Sequence, residues 1–166
     1  MTATSLVDRI LDAHRRRDLS DLAGCYHPDA TVHPAGWPEP VDIGTWCGGL
    51  PLLWRSFPDL DLRALGLADG GALAAVEIRM TGTNTGPFVP NDIDRLILDT
   101  DALELPATGR AIDVTGVVTL QVAGLVTAER HYWPMVEGLV QLGLARPRPV
   151  PDGAAAPWLR SGAARP

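Results

Sequence analysis

The side chains best suited to proton transfer in this sequence are two histidines and a glutamate. Glu129 and His131 are two residues apart in a predicted strand, and this spacing places both side chains on one face of the strand. His33 ends an earlier strand-like segment, directly before Pro34. An imidazole has an ordinary pKa of about 6.5 and can act as an acid or a base near neutral pH. His33, Glu129 and His131 are therefore the candidates for catalysis.

Other catalytic chemistries lack the residues that they need. All 14 Lys and Arg positions hold arginine, so no lysine can form a Schiff base or bind phosphate in a loop. The serines lack the sequence context of a nucleophile elbow. The spacing of His27, Asp29 and His33 does not match a known metal-ligand pattern, and Cys25 and Cys47 are not spaced as a metal-binding pair. We therefore expect no metal site.

The composition limits the kinds of partner. The chain has 166 residues and a formal net charge of −6, which argues against nucleic acids and anionic membranes because both need clustered positive charge. No apolar stretch approaches the roughly 20 residues that span a bilayer. Residues 1–17 alternate apolar and charged side chains, unlike a signal peptide. We expect a cytoplasmic protein with no nucleic-acid or membrane partner.

The hydrophobic pattern predicts helices first and strands afterwards. Helical periodicity predicts helices at residues 6–17, 18–26 and 43–57. Alternation predicts strands at residues 30–33, 61–67, 72–83, 110–122 and 125–133. Pro134 begins a last helix, which Gly143 ends. This order predicts an α+β fold, in which helices cover one face of a curved antiparallel sheet and enclose a cone-shaped pocket.

Three segments fall outside these elements. Residues 34–40 contain three prolines and are predicted to be irregular. Residues 87–106 are acidic and irregular, and a loop of that length often forms a lid or a subunit contact. Residues 146–166 are rich in Pro, Ala, Arg and Gly and are predicted to form a flexible or surface-lying tail. The domain itself is therefore predicted to span residues 1–145.

Aromatic side chains concentrate where the predicted elements would meet around the pocket. The three tryptophans between residues 37 and 54 belong to the part that would cover the cone, and residues 132–133 to its floor, where flat side chains can hold an apolar substrate. One face of the predicted strand at 110–122 is polar and is either a pocket floor or a subunit contact; it carries Asp113, Thr115, Thr119 and Gln121. The candidate substrate-binding residues are Trp37, Trp46, Trp54, Arg79, Asp113, Tyr132 and Trp133.

Several short motifs occur together in the order typical of a known family. They are Phe57-Pro58-Asp59-Leu60, Thr81-Gly82-Thr83-Asn84-Thr85-Gly86, Pro106-Ala107-Thr108-Gly109-Arg110, Gly116, Tyr132-Trp133 and Gln141-Leu142-Gly143-Leu144. From about residue 6 to residue 144 the chain resembles the SnoaL-like polyketide cyclases of the nuclear transport factor 2-like superfamily. The resemblance implies a cofactor-free cyclase, isomerase or lyase of antibiotic biosynthesis, and the lysine-free composition, typical of a high-GC actinobacterial genome, agrees with that setting. It also implies a hydrophobic polyketide-like substrate and a homodimer formed through the sheet face.

The resemblance also suggests where the site residues lie. Founding members of the family carry an aspartate directly after the last strand, as the acid/base of an aldol ring closure, and Pro134 stands at that position here. His33 matches a histidine often found at the family's cavity. If residue 134 faces the cavity, strand alternation places Arg130 and Tyr132 on the same side as neighbours in the cavity. A bulge or the end of the strand would instead turn His131 inward. Both arrangements stay open.

Three functions follow from the exchange of that aspartate for proline. A cyclase can close a ring by confinement and orientation, in a cycloaddition-type or dehydrative reaction, because near-attack geometry lowers a barrier by several kcal/mol. An epimerase, a dehydratase or a hydroxylation partner on the same scaffold needs an acid/base pair. A non-catalytic ligand-binding module needs neither. We expect the first, with mild proton transfer by His33, His131 or Glu129.

Overall fold

A computed structural model describes residues 2–146 of the chain, so the predicted tail lies outside the described residues except for Arg146. The helices are α1 (Ala3–Arg16), α2 (Leu19–Ala23), α3 (Ile43–Ser56), α4 (Asp92–Leu98) and α5 (Met135–Gln141). The strands are β1 (Tyr26–His33), β2 (Val41–Asp42), β3 (Asp61–Asp69), β4 (Leu73–Thr83), β5 (Ala111–Ala123) and β6 (Leu125–Tyr132). The six strands form one sheet in the order β2-β1-β6-β5-β4-β3. The β1–β6 pair is parallel, and the other pairs are antiparallel.

The sheet packs its core on one face and leaves the other face exposed. Along β5, Ile112 and Val114 are buried while Asp113 and Thr115 between them are exposed. The buried sheet residues pack against the apolar faces of α1 and α3, which supply Leu6, Ile10, Leu50 and Trp54 among others. This arrangement confirms the predicted α+β class with helices over a curled sheet.

The helix ends follow from local side-chain chemistry. Thr2 caps α1 by accepting a hydrogen bond from the backbone N–H of Ser5, so the helix begins three residues before the predicted start. Asp42 caps α3 in the same way, and α3 continues through Pro51 because Cys47, Leu50 and Trp54 hold one face in the core. None of the helices in residues 2–146 is long and apolar enough to cross a membrane.

The structure corrects two sequence-based predictions of secondary structure. The predicted second helix is shorter, and Tyr26 belongs instead to β1, where it pairs with Val126 of β6. The predicted irregular segment 87–106 contains α4, which an Asn91–Asp94 capping box begins. Strand pairing overrides helical periodicity in the first case, and reciprocal capping stabilises a short helix in the second.

Candidate functional site

A cavity of about 520 Å³ lies between the sheet, α3, α4, α5 and the segment that joins β1 to β2. Its lining is mainly apolar. Large side chains of the lining include Trp37, Trp46, Leu50, Leu53, Phe57, Met80, Phe88, Ile112, Val114, Trp133, Met135, Leu139 and Leu142. The titratable side chains of the lining, within the described residues, are Asp92, Asp94, Arg95 and His131. A cavity of this size and polarity suits an apolar small molecule that carries a few polar groups.

His131 lines the cavity and forms a buried pair with Glu129, which lies behind it and outside the lining. Both point to the same face of β6 because they are two residues apart. The side chains are 9% and 7% exposed, and His131 Nε2 lies 2.5 Å from Glu129 Oε1. Because an ionised carboxylate can only accept, the imidazole donates its Nε2–H to Glu129. His131 Nδ1 then remains accessible and has no protein partner among residues 2–146.

Tyr26 completes the hydrogen bonding of Glu129. Its hydroxyl donates to Oε2 of Glu129, and both residues are buried. Burial opposes ionisation of Glu129, but the hydrogen bonds from His131 and Tyr26 and the nearby imidazoles hold its pKa below the ordinary value. Burial, together with the Glu129 carboxylate, raises the pKa of Tyr26 well above its ordinary value. The tyrosine therefore stays a hydrogen-bond donor, and the glutamate stays an anion behind His131.

A second histidine lies close to this group in the core. His14 of α1 packs edge-to-face against Trp54, with ring centroids 6.0 Å apart. Burial lowers its pKa from 6.5 to about 4, although the charge of Glu129 acts in the opposite direction. His14 is therefore neutral near pH 7, and Glu129 faces one imidazole across a hydrogen bond and another at longer range.

Two tryptophans fix the walls around His131. The ring of Trp46 packs edge-to-face on the imidazole at a centroid distance of 5.0 Å. Trp133 lies against Gly116 of β5, where a Cβ atom would clash with the indole and would lie 2.7 Å from the carbonyl oxygen of Tyr132. Gly116 therefore allows β5 and Trp133 to approach closely, and this contact shapes one side of the cavity.

The side of the cavity formed by α4 carries a different polar group. Asp94 is 3% exposed, and its Oδ2 accepts the backbone N–H of Asn91 at 3.1 Å. Its Oδ1 is buried and has no hydrogen-bond partner among the described residues, and the same is true of Arg95 Nε. Burial raises the pKa of Asp94. Asp94 and Arg95 both belong to the cavity lining.

Besides Glu129, two predicted site residues of the interior lie beside the cavity and not in its lining. His33 Nε2 lies 2.9 Å from the carbonyl oxygen of Trp37, so the imidazole holds the segment that follows β1. Trp54 is buried in the core against His14. The other two predicted tryptophans of this region, Trp37 and Trp46, line the cavity as Trp133 does.

Three further polar candidates lie on the exposed side of the sheet. Arg79 and Asp113 form a two-point ion pair, with Nε–Oδ1 at 2.7 Å and Nη2–Oδ2 at 2.5 Å. Tyr132 is 52% exposed, and Arg130 is exposed as well. Of the two arrangements left open for β6, the structure has Glu129 and His131 facing the interior, so we leave Arg79, Asp113 and Tyr132 out of the site proposed below.

Sequence reasoning did not select Tyr26, His14 or Asp94 for the site. His14 was available from the pattern, because it falls at helical spacing on the apolar face of α1. Asp94 was available from the capping-box spacing with Asn91. Tyr26 had no local pattern to mark it, since its partner Glu129 is 103 residues away. Within residues 2–146 the structure contains no group of three or more His, Cys, Asp or Glu that could hold a metal ion.

Residues 7–128 match the family described as the SnoaL-like domain. The match covers most of the chain, and the protein therefore belongs to the SnoaL-like domain family. The family assignment agrees with the resemblance that the sequence motifs suggested. No match to a curated protein was found.

Solved structures share the fold at low sequence identity. AclR from Streptomyces galilaeus, a candidate hydroxylase, is 21% identical with a TM-score of 0.69, covering 95% of this chain and 91% of AclR. A candidate SnoaL-like polyketide cyclase from Jannaschia sp. CCS1 is 21% identical, with a TM-score of 0.70 and coverages of 87% and 92%. IdmH from Streptomyces antibioticus, a candidate polyketide cyclase, is 22% identical, with a TM-score of 0.67 and coverages of 84% and 97%. At these identities the likeness defines the cone-shaped fold.

Proposed function

We propose that this protein closes a ring in a polyketide-like natural-product intermediate, and that His131 transfers the proton while the cavity confines the chain. The observation that carries this proposal is that His131 lines a large apolar cavity and is hydrogen-bonded to the buried Glu129 behind it. Family membership and the candidate cyclases among the structural neighbours support a cyclase over other uses of the fold.

The hydrogen bonds around His131 prepare it as a base. Glu129 accepts the Nε2 proton and so favours the tautomer in which Nδ1 carries the lone pair. Glu129 also stabilises the imidazolium that forms when Nδ1 takes a proton, because the carboxylate is buried and anionic. The edge of Trp46 holds the ring plane. A proton removed from a carbon next to a carbonyl can thus be held and returned to the product.

Pro134 supports the assignment of this role to a strand residue. It lies in the cavity lining directly before α5, at the position where the family resemblance expects the aspartate, and its side chain has no proton to exchange. His131 lies three residues earlier and lines the same cavity. We infer that the proton acceptor has moved from the start of the helix to the end of β6.

Confinement contributes the rest of the rate enhancement. The cavity walls are rigid aromatic and aliphatic side chains from the sheet and three helices. A flexible linear intermediate that fills this volume loses the entropy of its extended conformations on binding, before the chemical step, and this can lower the barrier to closure by several kcal/mol.

The test begins with the intermediate that accumulates when the gene is inactivated in its native host. The purified protein should convert this compound into an isomer, or into a product lighter by one water, as measured by mass spectrometry and nuclear magnetic resonance. The rate should change across the pH range in which imidazoles titrate. A rate that stays constant over that range would instead assign the reaction to confinement alone.

Variants assign the proton transfer. His131→Phe should lower kcat by about 10²–10⁴-fold, the usual contribution of a general acid or base, with a smaller change in KM. His27→Ala is the matched control, because His27 is an exposed histidine outside the cavity lining, and it should leave both constants unchanged. Full turnover by His131→Phe would contradict the proposed role. Tight binding of the intermediate without turnover by the wild type would favour a ligand-binding module.

A further inference from the structure

We propose that Asp94 and Arg95 of α4 form the polar end of the ligand site and bind an oxygen pair, a carbonyl with a neighbouring hydroxyl, on an otherwise apolar ligand. This inference rests on the proposed function, because it concerns the ligand of the same cavity. It adds a specificity-determining pair on the side of the cavity formed by α4, separate from the His131–Glu129 pair on β6.

The two oxygens of Asp94 have different surroundings. Oδ2 accepts the backbone N–H of Asn91 at 3.1 Å, and Oδ1 of Asn91 accepts the backbone N–H of Asp94 at 2.9 Å. This capping box accounts for the start of α4 and uses one carboxyl oxygen. Asp94 lines the cavity, and its Oδ1 is buried and has no hydrogen-bond partner within residues 2–146. A buried oxygen without a hydrogen-bond partner destabilises the fold. A ligand group that hydrogen-bonds to this oxygen would remove that cost.

Arg95, the following residue of α4, supplies a donor to the same cavity lining. Its Nε is also buried without a hydrogen-bond partner in the described part of the chain. Its Nη1 lies 3.5 Å from Asp92 Oδ1, a long contact with a side chain that is 81% exposed. The Nε–H is therefore free for a second acceptor. Both residues line the cavity, so a carbonyl oxygen can accept from Arg95 while a neighbouring hydroxyl bonds to Asp94.

The charge state of Asp94 narrows the ligand class. Burial raises the pKa of Asp94 and so favours the neutral acid, which can both donate and accept a hydrogen bond. A protonated amine would not complement the two groups, because the Arg95 guanidinium repels it. An enolised dicarbonyl or a hydroxyl beside a quinone carbonyl satisfies both atoms, and the surrounding Phe88, Val89 and Trp46 accept its apolar body.

Binding of two probes tests the pair. Alizarin carries a hydroxyl beside a quinone carbonyl, and anthracene has the same ring skeleton without oxygen. Equilibrium dialysis should show that Asp94→Ala raises the Kd for alizarin by about tenfold, the equivalent of one hydrogen bond, and changes the Kd for anthracene by less than about twofold. Asp94→Asn should keep alizarin binding within about threefold of the wild type, because an amide also has a donor and an acceptor.

Controls separate this pair from the fold and from catalysis. Asp101→Asn removes an exposed carboxylate of the same segment and should change neither Kd. His131→Phe should lose turnover and retain alizarin binding, so a failure of the proposed function leaves this test intact. Equal weakening of both probes by Asp94→Ala would show that Asp94 only holds the fold, and unchanged alizarin binding would show that it does not bind the ligand. Failure of the wild type to bind either probe would overturn the ligand class for both proposals.

Discussion

The two faces of the strands β4 to β6 each carry a hydrogen-bonded pair of a basic and an acidic side chain, and the two pairs differ in what surrounds them. On the outer face, Arg79 and Asp113 are 49% and 53% exposed in their side chains. On the cavity face, His131 and Glu129 are 9% and 7% exposed. The same alternation of side chains along neighbouring strands thus produces one pair in water and one in an apolar interior.

The difference in burial decides what each pair can do. Water screens the outer pair, so it contributes little to stability. The inner pair has lost its hydration, and each polar atom of Glu129 depends on a protein donor. Removal of one inner partner leaves a buried group without compensation, and the same geometry keeps an imidazole nitrogen open to the cavity.

The largest expected effect is the loss of stability when the acid of the inner pair is removed, compared with removal of the acid of the outer pair. Glu129→Ala leaves the Tyr26 hydroxyl and the His131 Nε2–H without their acceptor, and we expect it to lower the free energy of unfolding by about 3–5 kcal/mol in urea titrations followed by circular dichroism. Asp113→Ala on the outer face should leave the urea midpoint nearly unchanged. Equal losses for the two variants would mean that the inner pair is hydrated in solution.

The pH dependence of stability should come next in size. Folding lowers the pKa of His14 from 6.5 to about 4, so the unfolded chain binds more protons between these values. His14 therefore contributes stability that is fully present above about pH 6.5 and is lost as the pH falls to about 4, up to about 3 kcal/mol. Thermal unfolding should show that His14→Phe flattens this slope. The control His27→Ala, at an exposed histidine, should leave the slope unchanged.

A smaller effect should follow from adding one methyl group to each face. Gly116→Ala places a Cβ against Trp133 and the carbonyl of Tyr132, and we expect a loss of about 1–3 kcal/mol together with changed tryptophan fluorescence. A Cβ at Gly66 of the outer strand β3 would meet no atom within 4 Å, so Gly66→Ala should stay within about 0.5 kcal/mol of the wild type. Identical melting temperatures for the two variants would show that Trp133 moves freely in solution.

Much of the site could be predicted from local pattern, because strand alternation needs no tertiary contact. Alternation places Glu129 and His131 together on one face of β6. Alternation does not tell which face meets the cavity, because the opposite face carries Arg130 and Tyr132, and an aromatic side chain such as Tyr132 could also line a cavity. The position of Trp46 against His131, and of Tyr26 against Glu129, distinguishes the two faces, and both contacts join distant parts of the chain.

The segment 87–106 shows the opposite case. Its acidic, aperiodic composition predicted no regular structure, yet the Asn91–Asp94 capping box begins a seven-residue helix within it. So short a helix is not stable alone. Its packing over the cavity, where Asp94 becomes buried, makes it persist.

The sequence by itself determined the order of helices and strands, the α+β class, the family and the pairing of Glu129 with His131 on one strand face. These depend on periodicity and on motifs within short stretches of chain. Only the tertiary structure decided that this face lies inward, that Tyr26 and His14 join it, and that Arg79 and Asp113 remain in water. Burial and pKa depend on groups brought together from distant positions, and no local pattern contains that information.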